Sequence, residues 1–240
     1  MEITRSTSED GVLTLTMDDG KKNALDTDAF AAITEAFDAA GDARAIVLAG
    51  REDIFSAGLN VKYMATAGRD GVADLLVAFG RTLMRVWLEP RPTVAACTGH
   101  ALAAGTMFAM ACDHAVAAAG PHWWGLTETR INFEMPHFGI ELARHNVRAD
   151  RLEDLLLPGA QIPAEEAVEV GYADELVALD QVLPRAQAKA AELAALPPAA
   201  YAGTKRRLRG MSAEAVLTGL QDDISALLAS FPDASGGGDG

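Results

Sequence analysis

Residues 91–113, RPTVAACTGHALAAGTMFAMACD, place a run of very small side chains directly before an apolar helical pattern. Thr93 to Thr98 is short, apolar and bounded by Pro92 and Gly99, which predicts a strand covered on both faces. From Ala101 to Gly105 only Leu102 carries more than a methyl group, and Thr106 to Cys112 predicts a compact helix. The first amides of a helix lack internal partners and stand at the positive end of its dipole. Beside side chains this small, a ligand oxygen can reach those amides. The chemistry on offer is an oxyanion hole in need of a second donor. The same residues equally suit close packing of a helix on a strand, and this stretch alone does not separate the two readings.

A second small-residue stretch lies upstream, in Phe55-Ser56-Ala57-Gly58-Leu59-Asn60-Val61-Lys62, after the strand-like Ala45-Ile46-Val47-Leu48-Ala49 and a turn over 50–53. Taken together, the two resemble the crotonase superfamily of enoyl-CoA hydratases and isomerases, whose usual motifs are F-S-A-G-A-D-L followed by G-x-A-x-G-G-G. The resemblance runs from about Val12 to about Arg209. It implies an α/β fold, a crotonase-type spiral of ββα units with a C-terminal helical region. It also implies an acyl-CoA substrate, with coenzyme A carried as part of the thioester and no separate cofactor. A homotrimer, or a hexamer built as a dimer of trimers, is the assembly it suggests.

Residue by residue, the resemblance places the two oxyanion donors at the main-chain amides of Leu59 and Ala104. Leu59 stands where the family usually has Ala, and Ala103-Ala104 where it has Gly-Gly; both changes narrow the space and neither removes an N–H. Coenzyme A contacts are implied at Lys22 and Ala24 in Lys21-Lys22-Asn23-Ala24-Leu25, at Ala57, and at Lys62. A further phosphate contact is implied at Lys205, in the basic cluster Lys205-Arg206-Arg207-Leu208-Arg209 ahead of the last helix. A hydratase of the familiar pattern holds water between two glutamates. The first position falls on Met107, which cannot titrate; the second falls on Glu128, in Trp124-Gly125-Leu126-Thr127-Glu128. One carboxylate can shuttle a proton between C2 and C4 of an enoyl thioester, which is the 3,2-enoyl-CoA isomerase reaction. The segment Gly125-Leu126-Thr127-Glu128-Thr129 is similar to the G-L-N-E-T of the single-glutamate isomerases. An apolar wall with Met107 and Trp123 or Trp124 would raise the pKa of Glu128 by desolvation. Glu134 is a candidate second carboxyl, a solvated side chain being the ordinary alternative. Hydratase activity and non-catalytic acyl-CoA binding are the competing functions, and RNA binding is a third.

Composition narrows these choices. The 240 residues are half hydrophobic, enough for one sizeable core. A net charge of -14 disfavours nucleic acid and anionic membrane as partners. It also repels coenzyme A, so the few cations should gather at its phosphates. The opening residues have no apolar run, and no stretch is long enough to span a bilayer, so a cytoplasmic protein is expected. Cys97 and Cys112 fit buried thiols of a reducing compartment, and the five histidines show no metal-site spacing.

The elements that must position these groups follow from periodicity. Val12 to Met17 alternates as a first strand, and Asp26 can cap a helix with Phe30, Ile33 and Phe37 on its apolar face. Val72, Leu75, Leu76, Phe79, Leu83 and Val86 share one helical face. His114 to Ala119 predicts a strand, Pro136 opens a helix, and Ile162 to Gly171 predicts a short helix with Pro near its start and Gly past its end. Val182 to Leu196 and Ala213 to Phe231 are helical. The expected organisation is a spiral core over 1–185, a helical region over 186–231 and a disordered tail over 232–240.

Overall fold

A strand built almost wholly of apolar residues needs cover on both faces, and a computed structural model of the chain provides it for Ala45–Ala49 and Thr93–Cys97. Residues 1–229 are described; the tail expected over 232–240 lies outside them. The chain begins with β1 (Glu2–Thr7), β2 (Val12–Asp18), β3 (Ala24–Leu25), α1 (Thr27–Asp38), β4 (Ala45–Ala49), β5 (Asp53–Ser56) and β6 (Gly58–Leu59). It continues with α2 (Val61–Thr66), α3 (Gly68–Trp87), β7 (Thr93–Cys97), β8 (Gly99–Leu102), α4 (Ala104–Ala111), β9 (His114–Ala118) and β10 (Trp123–Gly125). Last come α5 (His137–Asn146), α6 (Leu152–Leu156), β11 (Ile162–Pro163), α7 (Ala164–Val170), β12 (Glu175–Val177), α8 (Val182–Ala194) and α9 (Pro198–Ala229).

The larger sheet has the order β1-β2-β4-β7-β9-β12, parallel from β2 onward with β1 antiparallel at the edge. A second sheet runs β11-β10-β8-β5, and β3 pairs with β6. Each turn of the chain lays one strand in the first sheet (β4, β7, β9), the next in the second (β5, β8, β10), and then returns through a helix. This is the expected spiral of ββα units. Alternate strand residues face opposite layers. Val47, Ala49, Val94, Ala96, Val116 and Ala118 meet the alanine stripe Ala186, Ala190 and Ala194 of α8. Leu15, Ile46, Leu48, Ala95 and Ala117 face the main core with α1, α3 and α4.

Three expectations change. Val12 to Met17, expected as the first strand, is the second: β1 precedes it and pairs antiparallel with it, and β2 is nearly all buried, with Gln187 of α8 donating to the Thr14 hydroxyl at 3.0 Å. The division at 185/186 falls inside α8, which covers the sheet as part of the core. The last helix starts at Pro198 rather than after the basic cluster, so residues 205–209 are helical themselves. Asp26 does cap α1, accepting from the Ala29 amide at 3.1 Å.

Candidate active site

The loop through Ser56–Leu59 and the start of α4 meet because nothing larger than hydrogen intervenes. Gly58 has φ +94, and a Cβ there would lie 3.0 Å from the Leu102 carbonyl oxygen and the Ala103 methyl, and 3.6 Å from the Ala104 nitrogen. Gly105 is equally close to the same loop: a Cβ there would lie 2.6 Å from the Ser56 carbonyl oxygen. The Ser56 hydroxyl donates to the Asn23 carbonyl at 2.7 Å and accepts from the Gly58 amide at 3.1 Å. Buried Asn23 donates in turn to the carbonyls of Met17 and Phe55. Ala103, which caps α4, has φ 50 and ψ -117, a conformation that an L-residue holds only when its surroundings enforce it. Its amide donates to the Gly125 carbonyl at 2.7 Å. Leu59 and Ala104, assigned from different parts of the chain, therefore adjoin, and Ala104 heads a helix whose first amides have no internal acceptor.

Gly125 ends β10 and leads to Glu128 at the start of a 3-10 turn, Glu128–Ile131. Thr106 fixes that approach. Its hydroxyl donates to the Ala101 carbonyl at 2.6 Å and accepts from the Gly125 amide at 3.2 Å, so β8 and β10 are held through one oxygen. Glu128 is 7% exposed and lines a cavity of about 250 Å³ whose walls include Leu59, Ala103, Met107, Phe79 and Phe133. Burial pushes its pKa up to about 7, and its Oε2 is buried without a hydrogen-bond partner. Among the described residues lining the cavity it is the single titratable side chain.

A wider channel of about 600 Å³ adjoins this cavity, sharing Ala57, Leu102 and Gln161 with it. Lys21, Lys22 and Arg51 line the channel together with His100, Glu52 and Asp53, so cations gather here despite the acidic chain. The Ala57 amide donates to the Lys22 carbonyl at 3.0 Å, and Ala24 pairs with Gly58 in the short β3–β6 ladder. Asp19 shapes the lysine turn: burial would raise its pKa, but the amides of Asn23, Lys21 and Ala24 and the charge of Arg51 lower it overall. His100 accepts at Nδ1 from the Trp123 amide at 3.0 Å, which leaves Nε2 as the protonated nitrogen of the neutral ring. Arg51, His100 and Gln161 had no sequence signal, because the fold collects them from separate strands and loops.

Other expected site residues fall elsewhere. Lys205 is 6% exposed, and its ammonium donates to the carbonyls of Glu89 and Arg91 and to the Asp113 carboxylate, at 2.6, 2.8 and 2.6 Å. Those three acceptors use its three donors and leave none for a phosphate. Arg209, four residues on and one helical turn away, meets the same Asp113 at 2.7 Å, while Arg206 and Arg207 point outward. The basic cluster is thus split by the helix into a structural half and an exposed half. Lys62 is exposed on α2 and lines neither cavity nor channel; Glu134 is also exposed and outside the cavity wall. The two tryptophans separate, Trp123 lining the channel and Trp124 lying wholly in the core. Both cysteines are buried free thiols, and no group of three or more His, Cys, Asp or Glu that could hold a metal occurs among the described residues. No helix among them is long and apolar enough to cross a membrane.

Comparison with known proteins bears on this arrangement. The family profile described as enoyl-CoA hydratase/isomerase matches residues 7–235. A Thermus thermophilus protein assigned as an enoyl-CoA hydratase is 32% identical over 197 residues, 80% of this chain and 77% of that one. Further sequence relatives are matched over 62% of their own length. The crystal structure of the enoyl-CoA hydratase EchA3 from Mycobacterium ulcerans superposes with a TM-score of 0.87 at 31% identity, covering 93% of this chain and 98% of that one. An enoyl-CoA isomerase structure from Mycobacterium tuberculosis gives 0.86 at 28% identity, covering 95% and 98%. Touching loops, a helix that starts between them and one buried carboxyl thus sit in a chain matched almost from end to end, and the protein is an enzymatic member of the enoyl-CoA hydratase/isomerase family.

Proposed function

We propose that the protein is a 3,2-enoyl-CoA isomerase in which Glu128 is the sole proton shuttle. The observation that carries the reading is the make-up of the cavity wall: one titratable side chain, with Met107 where a hydratase needs its other carboxyl. In the reaction, the Glu128 carboxylate takes a proton from C2 of a 3-enoyl thioester. The electron pair moves towards the carbonyl oxygen, which becomes a dienolate oxygen held by the amides of Leu59 and Ala104. Each such donor is typically worth about 3 kcal/mol in the transition state. Glu128, now protonated, returns the proton at C4 and leaves the 2-enoyl thioester, with no water consumed. A carboxyl titrating near 7 is suited to both halves, because base and acid forms are comparably populated at working pH. Lys22 and Ala57 at the mouth of the channel are the proposed coenzyme A contacts, and Ala24 fixes the strand beside them. The expected assembly is a homotrimer or a dimer of trimers, which sedimentation would test.

The hydratase reading draws on the names of relatives, and it requires a second group to hold water. Incubation with 3-enoyl and 2-enoyl thioesters separates the two. The isomerase converts the 3-enoyl form to the 2-enoyl form and makes no 3-hydroxyacyl product from either; accumulation of 3-hydroxyacyl thioester refutes it.

A further inference from the structure

We propose that Phe79 is the end wall of the acyl cavity and sets the length of chain accepted, so that the preferred substrate is an apolar acyl thioester of short or medium length. This rests on the cavity being the acyl site, though not on which reaction occurs there.

The direction of the cavity follows from its neighbours. Ala57, Leu102 and Gln161, shared with the cation-lined channel, mark the thioester side. On α3, Leu76 and Phe79 line the cavity and are 0% and 1% exposed, so it goes no deeper there. The Phe79 ring is held from three directions: Phe30 is stacked at 5.1 Å between centroids, Phe108 lies at 5.8 Å, and Phe138 meets it edge-on at 4.9 Å. Behind it, a Cβ on Gly80 would lie 2.7 Å from Leu220 Cδ1 and 3.0 Å from Phe138 Cδ1, so α9 and α5 press directly on the α3 backbone. Turning the Phe79 side chain would displace several close-packed rings. Met64 and Met107, which also line the cavity, are flexible enough to follow a chain's contour; Phe79 is not. The volume of about 250 Å³ lies below the roughly 300–1,000 Å³ of pockets that enclose drug-sized ligands, which favours a chain of modest length. Val61 and Ile131, 64% and 57% exposed on the cavity rim, mark the alternative path by which a longer tail would leave.

Binding of saturated acyl-CoAs from butanoyl to hexadecanoyl, measured by calorimetry, tests this without any turnover. Affinity is expected to rise to an optimum and then to fall, on the order of tenfold or more, at the first methylene that no longer fits. Phe79→Leu, which keeps most of the volume and the fold, should move the optimum to longer chains, and Phe79→Ala should move it further. Ile131→Ser should leave the optimum where it is. The proposal is overturned if wild-type affinity climbs without a break to hexadecanoyl, or if Ile131→Ser removes long-chain binding while the Phe79 variants keep the wild-type profile. Failure of every acyl-CoA to bind would overturn the acyl-site reading and this proposal with it. Loss of isomerisation alongside a normal length profile would leave the end wall standing and refute only the reaction.

Discussion

Two buried glutamates in this chain have opposite surroundings. Glu89, just beyond α3, is fully buried between Arg85, which donates at 2.6 Å, and Arg91. Burial alone would raise its pKa, but Arg91 and Arg85 outweigh that and hold it below the ordinary value. Glu128 is nearly as buried, faces apolar walls, has one unpartnered oxygen and titrates near 7. The paired carboxylate ties elements together; the unpaired one remains available for proton transfer. A buried carboxyl becomes informative about function when its partners are counted as well as its exposure.

The largest expected effect breaks the reactive half of this contrast. Glu128→Gln should lower kcat by about 10²–10⁴-fold, the range for loss of a general acid–base, with the fold intact by circular dichroism. The same variant sharpens the contrast through pH. Unfolded, Glu128 ionises near 4.5; folded, near 7. Between those values the folded protein keeps a proton that the unfolded chain has released, so this group makes stability fall as pH rises through the window and keeps it lower above it. Glu128→Gln should therefore gain on wild type between pH 5 and 8, by on the order of 3 kcal/mol in urea unfolding. For Glu89 the sign reverses: its contribution is present above the ordinary carboxylate range and is lost as pH falls through its lowered pKa. Glu89→Gln should cost about 2 kcal/mol at neutral pH, less than the roughly 3–5 kcal/mol of a fully buried pair because both arginines stay partly in water. Activity per folded molecule should not change. The smallest effect tests the channel: Lys22→Ala should raise KM by about two- to fivefold, and added salt should shrink the difference.

The sequence carries the parts of this molecule that depend on local pattern. Apolar runs mark β4, β7 and β9, the Asp26 cap marks α1, and Pro136 marks the start of α5, because each depends on residues within a few positions of one another. Motif resemblance singles out Leu59, Ala104, Met107 and Glu128; in the fold the loop at Gly58 lies against Ala104, and Glu128 and Met107 line one cavity. Groups whose role depends on distant partners were less legible. As plain text, Lys205 belongs to an exposed run of charge; its burial follows from Asp113, which arrives from the turn after α4. The edge strand β1 has no apolar run, since most of its residues are exposed, and its place depends on pairing with β2. His100, Arg51 and Gln161 have no spacing to betray them, because three separate turns of the spiral bring them to one channel.

The Thr106 hydroxyl has a mechanical consequence. It joins the strand that leads into α4 to the strand that delivers Glu128, so the proposed anchor for the carbonyl and the proposed base for C2 are not free to drift apart. Thermal motion that displaces one displaces the other. The span between the start of α4 and the Glu128 carboxyl is thereby built in before any substrate arrives.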